Sequence, residues 1–219
     1  MPARDLALIA VFAALIAALG LGGAFPIPWS EVPITAQTLG VMLAGSVLGA
    51  RRGLLAVLVF LVLVAVGLPL LPPSPARPQG GLAVFTSVSA GFLIGWLPGA
   101  WVVGALVERR PARFSLSWIV LANVLGGIVV IYAFGLPVQA WVAHLTSGKV
   151  LKGALLLLPG DITKVGVSAV VTGAVLRGYP GIVPPRRSWF GRGEAAGPTD
   201  APSGAREAPT PGSPAAESR

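Results

Sequence analysis

An acid and a base lie three residues apart in an apolar stretch of the C-terminal half of the sequence. Asp161 and Lys164 follow a Pro-Gly pair at 159–160 and precede residues typical of a membrane-spanning helix. Residues at this spacing share one helix face, so the two side chains can pair with each other or with a third group. An ionisable residue inside a bilayer costs about 3 kcal/mol or more and usually marks a substrate or ion site. The pair is therefore the first candidate for ligand binding.

A helix cap is the competing interpretation of this pair. The Pro-Gly pair predicts a break in the chain before Asp161, and Asp is among the preferred residues at a helix start. Capping explains Lys164 less well, because a cation in the first turn of a helix opposes the helix dipole. Lys164 therefore favours a ligand site over a cap alone.

The composition of the chain is that of an integral membrane protein. Of its 219 residues, 54% are hydrophobic and 11% are charged, whereas soluble domains carry roughly 25% charged residues. The basic residues lie in short breaks between apolar runs, which indicates membrane topology rather than nucleic-acid binding. With no cysteine and a single histidine, His144, we expect no metal centre, no cofactor and no thiol chemistry.

Six apolar stretches are candidates for membrane-spanning helices, which need about 20 apolar residues each. They cover residues 6–24, 35–50, 54–71, 83–107, 117–136 and 159–176. The stretch 137–158 carries several polar residues, so we predict a surface helix and re-entry there; a seventh span is the alternative. The predicted fold is an all-α membrane domain over residues 1–183.

The positions of the basic residues predict the orientation of these spans. Ten arginines fall on one side of the membrane: Arg4, Arg51, Arg52, Arg109, Arg110, Arg113, Arg177, Arg186, Arg187 and Arg192. The other side receives Arg77, Lys149 and Lys152. Because cytoplasmic loops carry the excess of Lys and Arg, both termini are predicted to be cytoplasmic. Residues 184–219 are rich in Pro, Gly, Ala and Ser, which predicts a disordered cytoplasmic tail.

The first predicted helix carries a stripe of small residues, Ala10, Ala14 and Ala18, at four-residue spacing. Such stripes let two helix backbones approach closely in a membrane. The stripe could contact a partner subunit or another helix of the same chain. On spacing alone, the internal contact is the more common arrangement.

Polar side chains elsewhere could complete a pocket around Asp161. A proline-rich outer loop at 25–38 ends with Thr35 and Gln37, which could cover a small ligand or cap the next helix. Asn123 and Tyr132 lie in the fifth predicted span, where polar groups need hydrogen-bonding partners. Each of these residues could serve packing alone, but together they favour a polar pocket.

With these residues considered, the chain resembles the BioY family, the biotin-specific S components of energy-coupling-factor (ECF) vitamin transporters. The resemblance covers most of residues 6–176. It rests on several motifs in order: VPITAQTLGV at 32–41, LAG at 43–45, LGARRG at 48–53, VGLP at 66–69, GG at 80–81, IYAFGLP at 131–137 and LPGDITK at 158–164. One motif departs from the family: residues 87–92 read SVSAGF where members often have GPTGGY, which puts contacts from the fourth helix in doubt.

The resemblance implies a six-helix subunit of the cytoplasmic membrane that captures biotin at the outer face and is not an enzyme. Asp161 would accept hydrogen bonds from the ureido N–H groups, with Lys164 at the same end of the ligand. Thr35, Gln37, Asn123 and Tyr132 would complete the site, and Arg77 is the candidate for the valerate carboxylate.

The resemblance also implies partners. It reverses the preference for the stripe Ala10, Ala14 and Ala18, which would dock on a transmembrane coupling subunit that works with two ATPase subunits. The chain has no phosphate-binding Gly-x-x-x-x-Gly-Lys-Ser/Thr loop of its own. The alternatives are an S component for riboflavin or thiamine, or a membrane-embedded enzyme, for which the catalytic constellation of Glu/His or Ser/Lys is missing.

Overall fold

The fold is a bundle of helices with one β-hairpin. A computed structural model describes residues 1–27, 30–74, 78–109, 115–179 and 182–183. The helices are α1 (Ala3–Gly20), α2 (Gln37–Leu48), α3 (Ala50–Ala65), α4 (Ala90–Glu108), α5 (Leu116–Val124), α6 (Ile131–Val142) and α7 (Ser147–Gly178). A 3₁₀ turn (Leu82–Thr86) precedes α4, a π-turn (Leu125–Val130) joins α5 to α6, and the strands are β1 (Ala24–Ile27) and β2 (Ser30–Thr35). The predicted tail at 184–219 lies outside the described residues.

Four helical segments of the described chain are long and apolar enough to cross a membrane. They are α1, α4, the continuous helix Leu116–Val142 and α7. The remaining two predicted spans correspond to the shorter helices α2 and α3, with 12 and 16 residues. These two meet at Gly49, whose φ of 84° is a left-handed conformation that glycine adopts without strain. The Glu108 side chain accepts a 2.8 Å hydrogen bond from the backbone N–H of Ala50 at this corner.

The prediction of a surface helix and re-entry at 137–158 is wrong. The fifth span continues through Pro137 to Val142, and α7 begins at Ser147 and runs through Pro159 without a break. Prolines are tolerated inside membrane helices, because neighbouring helices and hydroxyl side chains satisfy the freed backbone groups. The Thr163 hydroxyl donates a 2.9 Å hydrogen bond to the carbonyl of Pro159, one turn earlier. The rules for proline in soluble helices therefore predicted breaks at Pro137 and Pro159 that these helices do not have.

The segment between α1 and α2 contains a β-hairpin that the sequence did not predict. Strands β1 and β2 pair antiparallel, with Ala24 opposite Thr35 and Phe25 opposite Ile34. Pro33 lies within β2, which a two-stranded sheet tolerates because each strand has a free edge. The side chain of Ile34 approaches α7, with its Cδ1 atom 3.5 Å from the Cβ position of Gly160. The hairpin is thereby held against the helix that carries Asp161.

Helix α4 occupies the centre of the bundle, with 61% of its spanning window buried, against 28% for α1. Its glycines at four-residue spacing, Gly91, Gly95 and Gly99, let the helix Leu116–Val142 pack closely. A Cβ atom at Gly91 would lie 2.5 Å from the carbonyl oxygen of Phe134. Residues of both α4 and α6 line one cavity.

Candidate functional site

A cavity lies between the β-hairpin and the helices α2, α4, α6 and α7. It contains about 600 Å³ of space between the protein atoms when the open space at its mouth is counted. Most of its lining is apolar, with a few polar groups, as expected for a small-molecule site. The lining residues are Val32, Pro33, Ile34, Thr35, Gln37, Thr38, Leu71, Ser89, Phe92, Leu93, Trp96, Gly127, Ile131, Tyr132, Leu157, Asp161 and Lys164.

Four polar side chains of the cavity wall form one hydrogen-bonded group, which we call the cavity cluster: Thr38, Tyr132, Asp161 and Lys164. The Lys164 ammonium lies 2.8 Å from Oδ1 of Asp161 and donates to the Thr38 hydroxyl at 2.9 Å. The Tyr132 hydroxyl donates a 2.6 Å hydrogen bond to the other carboxylate oxygen, Oδ2 of Asp161. The cluster thus joins α2, α6 and α7 at the cavity.

The ion pair between Asp161 and Lys164 is buried. The side chains of Lys164 and Asp161 are only 13% and 10% exposed. Each charge removed from water is costly unless the opposite charge and additional hydrogen bonds compensate it. Asp161 neutralises Lys164, while Tyr132 and Thr38 supply the further hydrogen bonds. The pair is therefore tolerated inside an apolar bundle.

The cavity cluster keeps hydrogen-bonding capacity for a ligand. An ammonium group has three N–H donors and a carboxylate has about four acceptor positions. The hydrogen bonds within the cluster use two donors of Lys164 and one acceptor position on each oxygen of Asp161. One donor and further acceptor positions remain on adjacent atoms. A ligand group with both N–H donors and a carbonyl acceptor fits this arrangement.

The position of Asp161 within α7 excludes the capping interpretation. Asp161 and Lys164 lie near the middle of a helix that runs from Ser147 to Gly178, so neither residue is at a helix start. Their spacing does place them on one helix face, as predicted, and that face borders the cavity. The dipole argument for Lys164 consequently does not apply.

Three other predicted binding residues also line the cavity: Thr35, Gln37 and Tyr132. Tyr132 belongs to the cavity cluster. Gln37 has a structural contact as well, because its side-chain N–H₂ group donates to the carbonyls of Ile16 at 3.3 Å and Leu70 at 3.0 Å. Gln37 thereby connects α1 to the segment that follows α3.

Asn123 does not line the cavity. It is fully buried and belongs to a second polar group, the buried cluster, which consists of Ser46, Asn123 and Ser168. The hydroxyls of Ser46 and Ser168 donate to Oδ1 of Asn123 at 3.2 and 3.3 Å. The amide of Asn123 donates back to the carbonyl of Ile119 at 2.9 Å. The structure thus places Asn123 in a contact between α2, α5 and α7.

The remaining predicted residues lie elsewhere. Arg77 is outside the described residues. Ala10, Ala14 and Ala18 are all exposed on the outer face of α1, away from the cavity, while Ala13 beside them is buried. No group of three or more His, Asp or Glu residues in the described parts of the chain could hold a metal ion.

Three polar residues of the cavity wall were not among the predicted binding residues: Thr38, Ser89 and Trp96. Thr38 belongs to the same hydroxyl-rich run as Thr35, which was the available signal. Ser89, Phe92, Leu93 and Trp96 form a stripe on one face of α4 that borders the cavity. The spacing of this stripe is visible in the sequence, but nothing in the pattern indicates which face of an all-apolar helix points inward.

Comparisons with known proteins identify the family of this chain. The profile of the BioY family matches residues 1–181. The chain belongs to the BioY family. The biotin transporter BioY of Rhizobium etli is 50% identical over 186 residues, covering 82% of this chain and 97% of that protein. The biotin transporter BioY of Rhodobacter capsulatus is 44% identical over 191 residues, covering 80% and 92% of the two chains.

A solved structure also resembles this BioY-family chain. It is the crystal structure of the S-component for biotin from an ECF-type ABC transporter, with a TM-score of 0.75 and 27% sequence identity. The match covers 80% of this chain and 91% of that one. The family expected from the motifs is therefore confirmed, and so is the likeness of the helical fold to an S component.

Proposed function

We propose that this chain is a biotin-binding membrane subunit that captures biotin at the outer face and passes it across the cytoplasmic membrane. The observation that carries the proposal is the cavity cluster, whose buried Asp161–Lys164 pair lies at the wall of a mostly apolar cavity. Biotin as the ligand is supported by the BioY family and by the likeness to a biotin S-component.

The ureido group of biotin matches the cavity cluster chemically. It offers two N–H donors and one carbonyl acceptor in a rigid ring. Asp161 accepts the N–H groups, and the remaining donor of Lys164 binds the ureido oxygen. The apolar walls formed by Phe92, Ile131 and Leu157 enclose the hydrocarbon part of the ligand, and β2 covers it with Thr35 at its end.

The proposed topology has six membrane crossings, namely α1, α2, α3, α4, the helix Leu116–Val142, and α7. The two short helices α2 and α3 cross as a pair, because α1 and α4 pack against both of them. The excess of arginine on one side of the membrane supports cytoplasmic termini. The cavity then opens toward the outer side, where extracellular biotin can enter.

The proposed partners are an ECF coupling subunit in the membrane and two ATPase subunits. The contact on this chain is the stripe Ala10, Ala14 and Ala18, which is exposed within the subunit. Small residues on an exposed membrane helix allow a second helix to approach closely. We assign this chain the role of binding the vitamin rather than that of an enzyme.

Equilibrium binding of radiolabelled biotin to the purified chain in detergent tests the proposal. The wild type should bind, and Asp161→Asn should weaken binding at least tenfold, about 1.4 kcal/mol. The matched control is Asp5→Asn, which makes the same change in the Asp5–Arg52 ion pair of 2.9 Å, away from the cavity. Binding of riboflavin or thiamine without binding of biotin would overturn the ligand assignment.

Co-purification with the coupling subunit tests the docking surface. Ala14→Leu should reduce the amount of coupling subunit recovered, while biotin binding to the isolated chain is unchanged. Val11→Leu enlarges an exposed α1 residue beside the stripe and serves as the control. Loss of biotin binding in Ala14→Leu would show instead that the stripe packs within the subunit.

A further inference from the structure

The helix Leu116–Val142 contributes one residue to each polar cluster, at a spacing that does not suit a regular α-helix. The Ser168 hydroxyl of α7 donates to Asn123, and the Tyr132 hydroxyl donates to Asp161 of the same helix. Asn123 and Tyr132 are nine residues apart, which is about 2.5 turns of an α-helix. In a regular α-helix the two side chains would therefore point to opposite sides, yet both bond to α7.

The π-turn Leu125–Val130 lies between these two residues and explains how both reach α7. Its hydrogen bonds join residues five apart rather than four, so it holds one residue more per turn than an α-helix. One extra residue turns the following segment back by about 100°, which leaves Asn123 and Tyr132 about 80° apart around the helix axis. Turns of this kind occur frequently at functional sites. The π-turn therefore decides which way Tyr132 points.

Two glycines fit the π-turn closely between α4 and α2. A Cβ atom at Gly126 would lie 2.5 Å from a side-chain carbon of Val103 and 2.6 Å from the carbonyl oxygen of Gly99, both in α4. A Cβ atom at Gly127 would lie 2.5 Å from Cε and 2.7 Å from Cγ of Met42 in α2. Carbon atoms in contact are about 3.5–4.0 Å apart, so a side chain at either position would displace the turn or its neighbour.

Met42 is the neighbour on the α2 side. It is fully buried and does not line the cavity. It packs with the buried residues Ile128 and Val165, and Tyr132 packs against the same group. In a close-packed interior, a buried side chain cannot move aside without displacing the residues around it. A change at the contact between Met42 and Gly127 should therefore be felt at Tyr132.

We propose that Met42 is a positioning residue: by packing on Gly127, it holds the π-turn in the register that directs the Tyr132 hydroxyl to Asp161. Binding sites need their polar groups held within about 0.5 Å of the productive geometry, and residues behind the site provide this support. The effect on ligand affinity rests on the proposed function, in which Asp161 accepts hydrogen bonds from biotin. The effect on Tyr132 itself requires no ligand.

Equilibrium biotin binding to variants at this contact tests the proposal. Gly127→Ala and Met42→Ala should each weaken binding, by about tenfold at most, which is the limit for losing the Tyr132 hydrogen bond. The double variant should bind within about twofold of the wild type, because the new methyl group at 127 occupies space that Met42→Ala vacates. Met42→Leu, which keeps the volume, should also stay within about twofold.

A double-mutant cycle distinguishes positioning from a general loss of packing. Combining Gly127→Ala with Tyr132→Phe should weaken binding no more than the stronger of the two single changes, because both remove the same hydrogen bond. Gly166→Ala is the matched control, since a Cβ atom there meets nothing within 4 Å. It should leave affinity unchanged, and its combination with Tyr132→Phe should reproduce the effect of Tyr132→Phe alone.

Fluorine NMR of the free protein measures the position of Tyr132 directly. The chain has two tyrosines, Tyr132 and Tyr179, so fluorotyrosine in a Tyr179→Phe background labels Tyr132 alone. We expect its signal to shift in Gly127→Ala, to return in the double variant with Met42→Ala, and to stay in place in Gly166→Ala.

The outcomes separate this inference from the proposed function. If the wild type binds no biotin, the proposed function fails, while the NMR signal still tests the effect of Met42 on Tyr132. If the wild type binds biotin but Gly127→Ala changes neither the affinity nor the signal, the inference alone fails. It fails likewise if the effects of Gly127→Ala and Tyr132→Phe add, or if Met42→Ala does not restore the Gly127→Ala variant.

Discussion

The cavity cluster and the buried cluster join the same helices of the bundle but differ in the hydrogen-bonding groups that they leave free for a ligand. Both connect α2, the helix Leu116–Val142, and α7. The cavity cluster is charged, borders the cavity and retains a free donor and free acceptor positions. The buried cluster is neutral and lies away from the cavity, and Oδ1 of Asn123 already accepts two hydroxyl groups.

This difference shows how polar residues of a membrane bundle divide between binding and packing. A neutral amide with two serines satisfies its hydrogen bonds inside the protein, so it fixes the helices and needs no ligand. A buried ion pair costs free energy because both charges leave water. Its presence is therefore weak evidence that it stabilises the fold, and better evidence for a ligand or ion site. Variants in the two clusters should therefore separate affinity from stability.

The largest effect should come from Lys164→Met, which leaves the carboxylate of Asp161 buried without its cation. Removing one partner of a buried ion pair costs about 3–5 kcal/mol of stability, and biotin affinity should fall at least tenfold, about 1.4 kcal/mol. Thermal unfolding in detergent and equilibrium biotin binding measure the two quantities. Lys152→Met, at an exposed position of the same helix, is the matched control. A variant as stable as the wild type would contradict the expected cost of leaving Asp161 buried without its cation.

A smaller effect, on stability alone, should follow Asn123→Leu. The substitution keeps the volume but leaves the hydroxyls of Ser46 and Ser168 without their acceptor, which costs about 2 kcal/mol. The same unfolding assay should show this loss, while the folded fraction binds biotin within about twofold of the wild type. A folded variant that no longer binds biotin would return Asn123 to the ligand site, where the sequence placed it.

The smallest effect should follow Tyr132→Phe. The variant removes one hydrogen bond to Oδ2 of Asp161 but keeps the edge-on ring contact with Phe92, at 6.0 Å between centroids. The lost hydrogen bond is to a charged group, so the free energy of unfolding should fall by about 1.5 kcal/mol, and biotin affinity should fall by about tenfold at most. The control is Tyr179→Phe, whose side chain is 68% exposed. Unchanged affinity would show that Tyr132 contributes nothing to the site.

Much of this site was predictable from the sequence because its residues are chemically unusual for their surroundings. Asp161 and Lys164 are conspicuous in an apolar stretch, and the spacing correctly placed them on one helix face. Thr35, Gln37 and Tyr132 were predicted near them and line the same cavity. Asn123 met the same criterion, a polar residue in a span, yet it lies in the buried cluster. Composition does not reveal whether a polar group finds its partner within the protein.

Helix boundaries were less predictable, because proline has different consequences in lipid and in water. Pro137 and Pro159 were read as breaks, whereas α6 and α7 run through them. Short-range rules also gave no indication of the β-hairpin, since both of its strands contain a proline. Both errors concern structure that depends on neighbouring elements.

By itself the sequence determined the membrane class, the order of the apolar helices, the family, and the acid–base pair on one face of α7. These properties depend on hydrophobicity and local spacing, which are written residue by residue. The tertiary structure alone decided that α7 is one unbroken helix and that Asn123 packs between helices while Tyr132 lines the cavity. These properties depend on which helix faces meet, and no single helix specifies its neighbours.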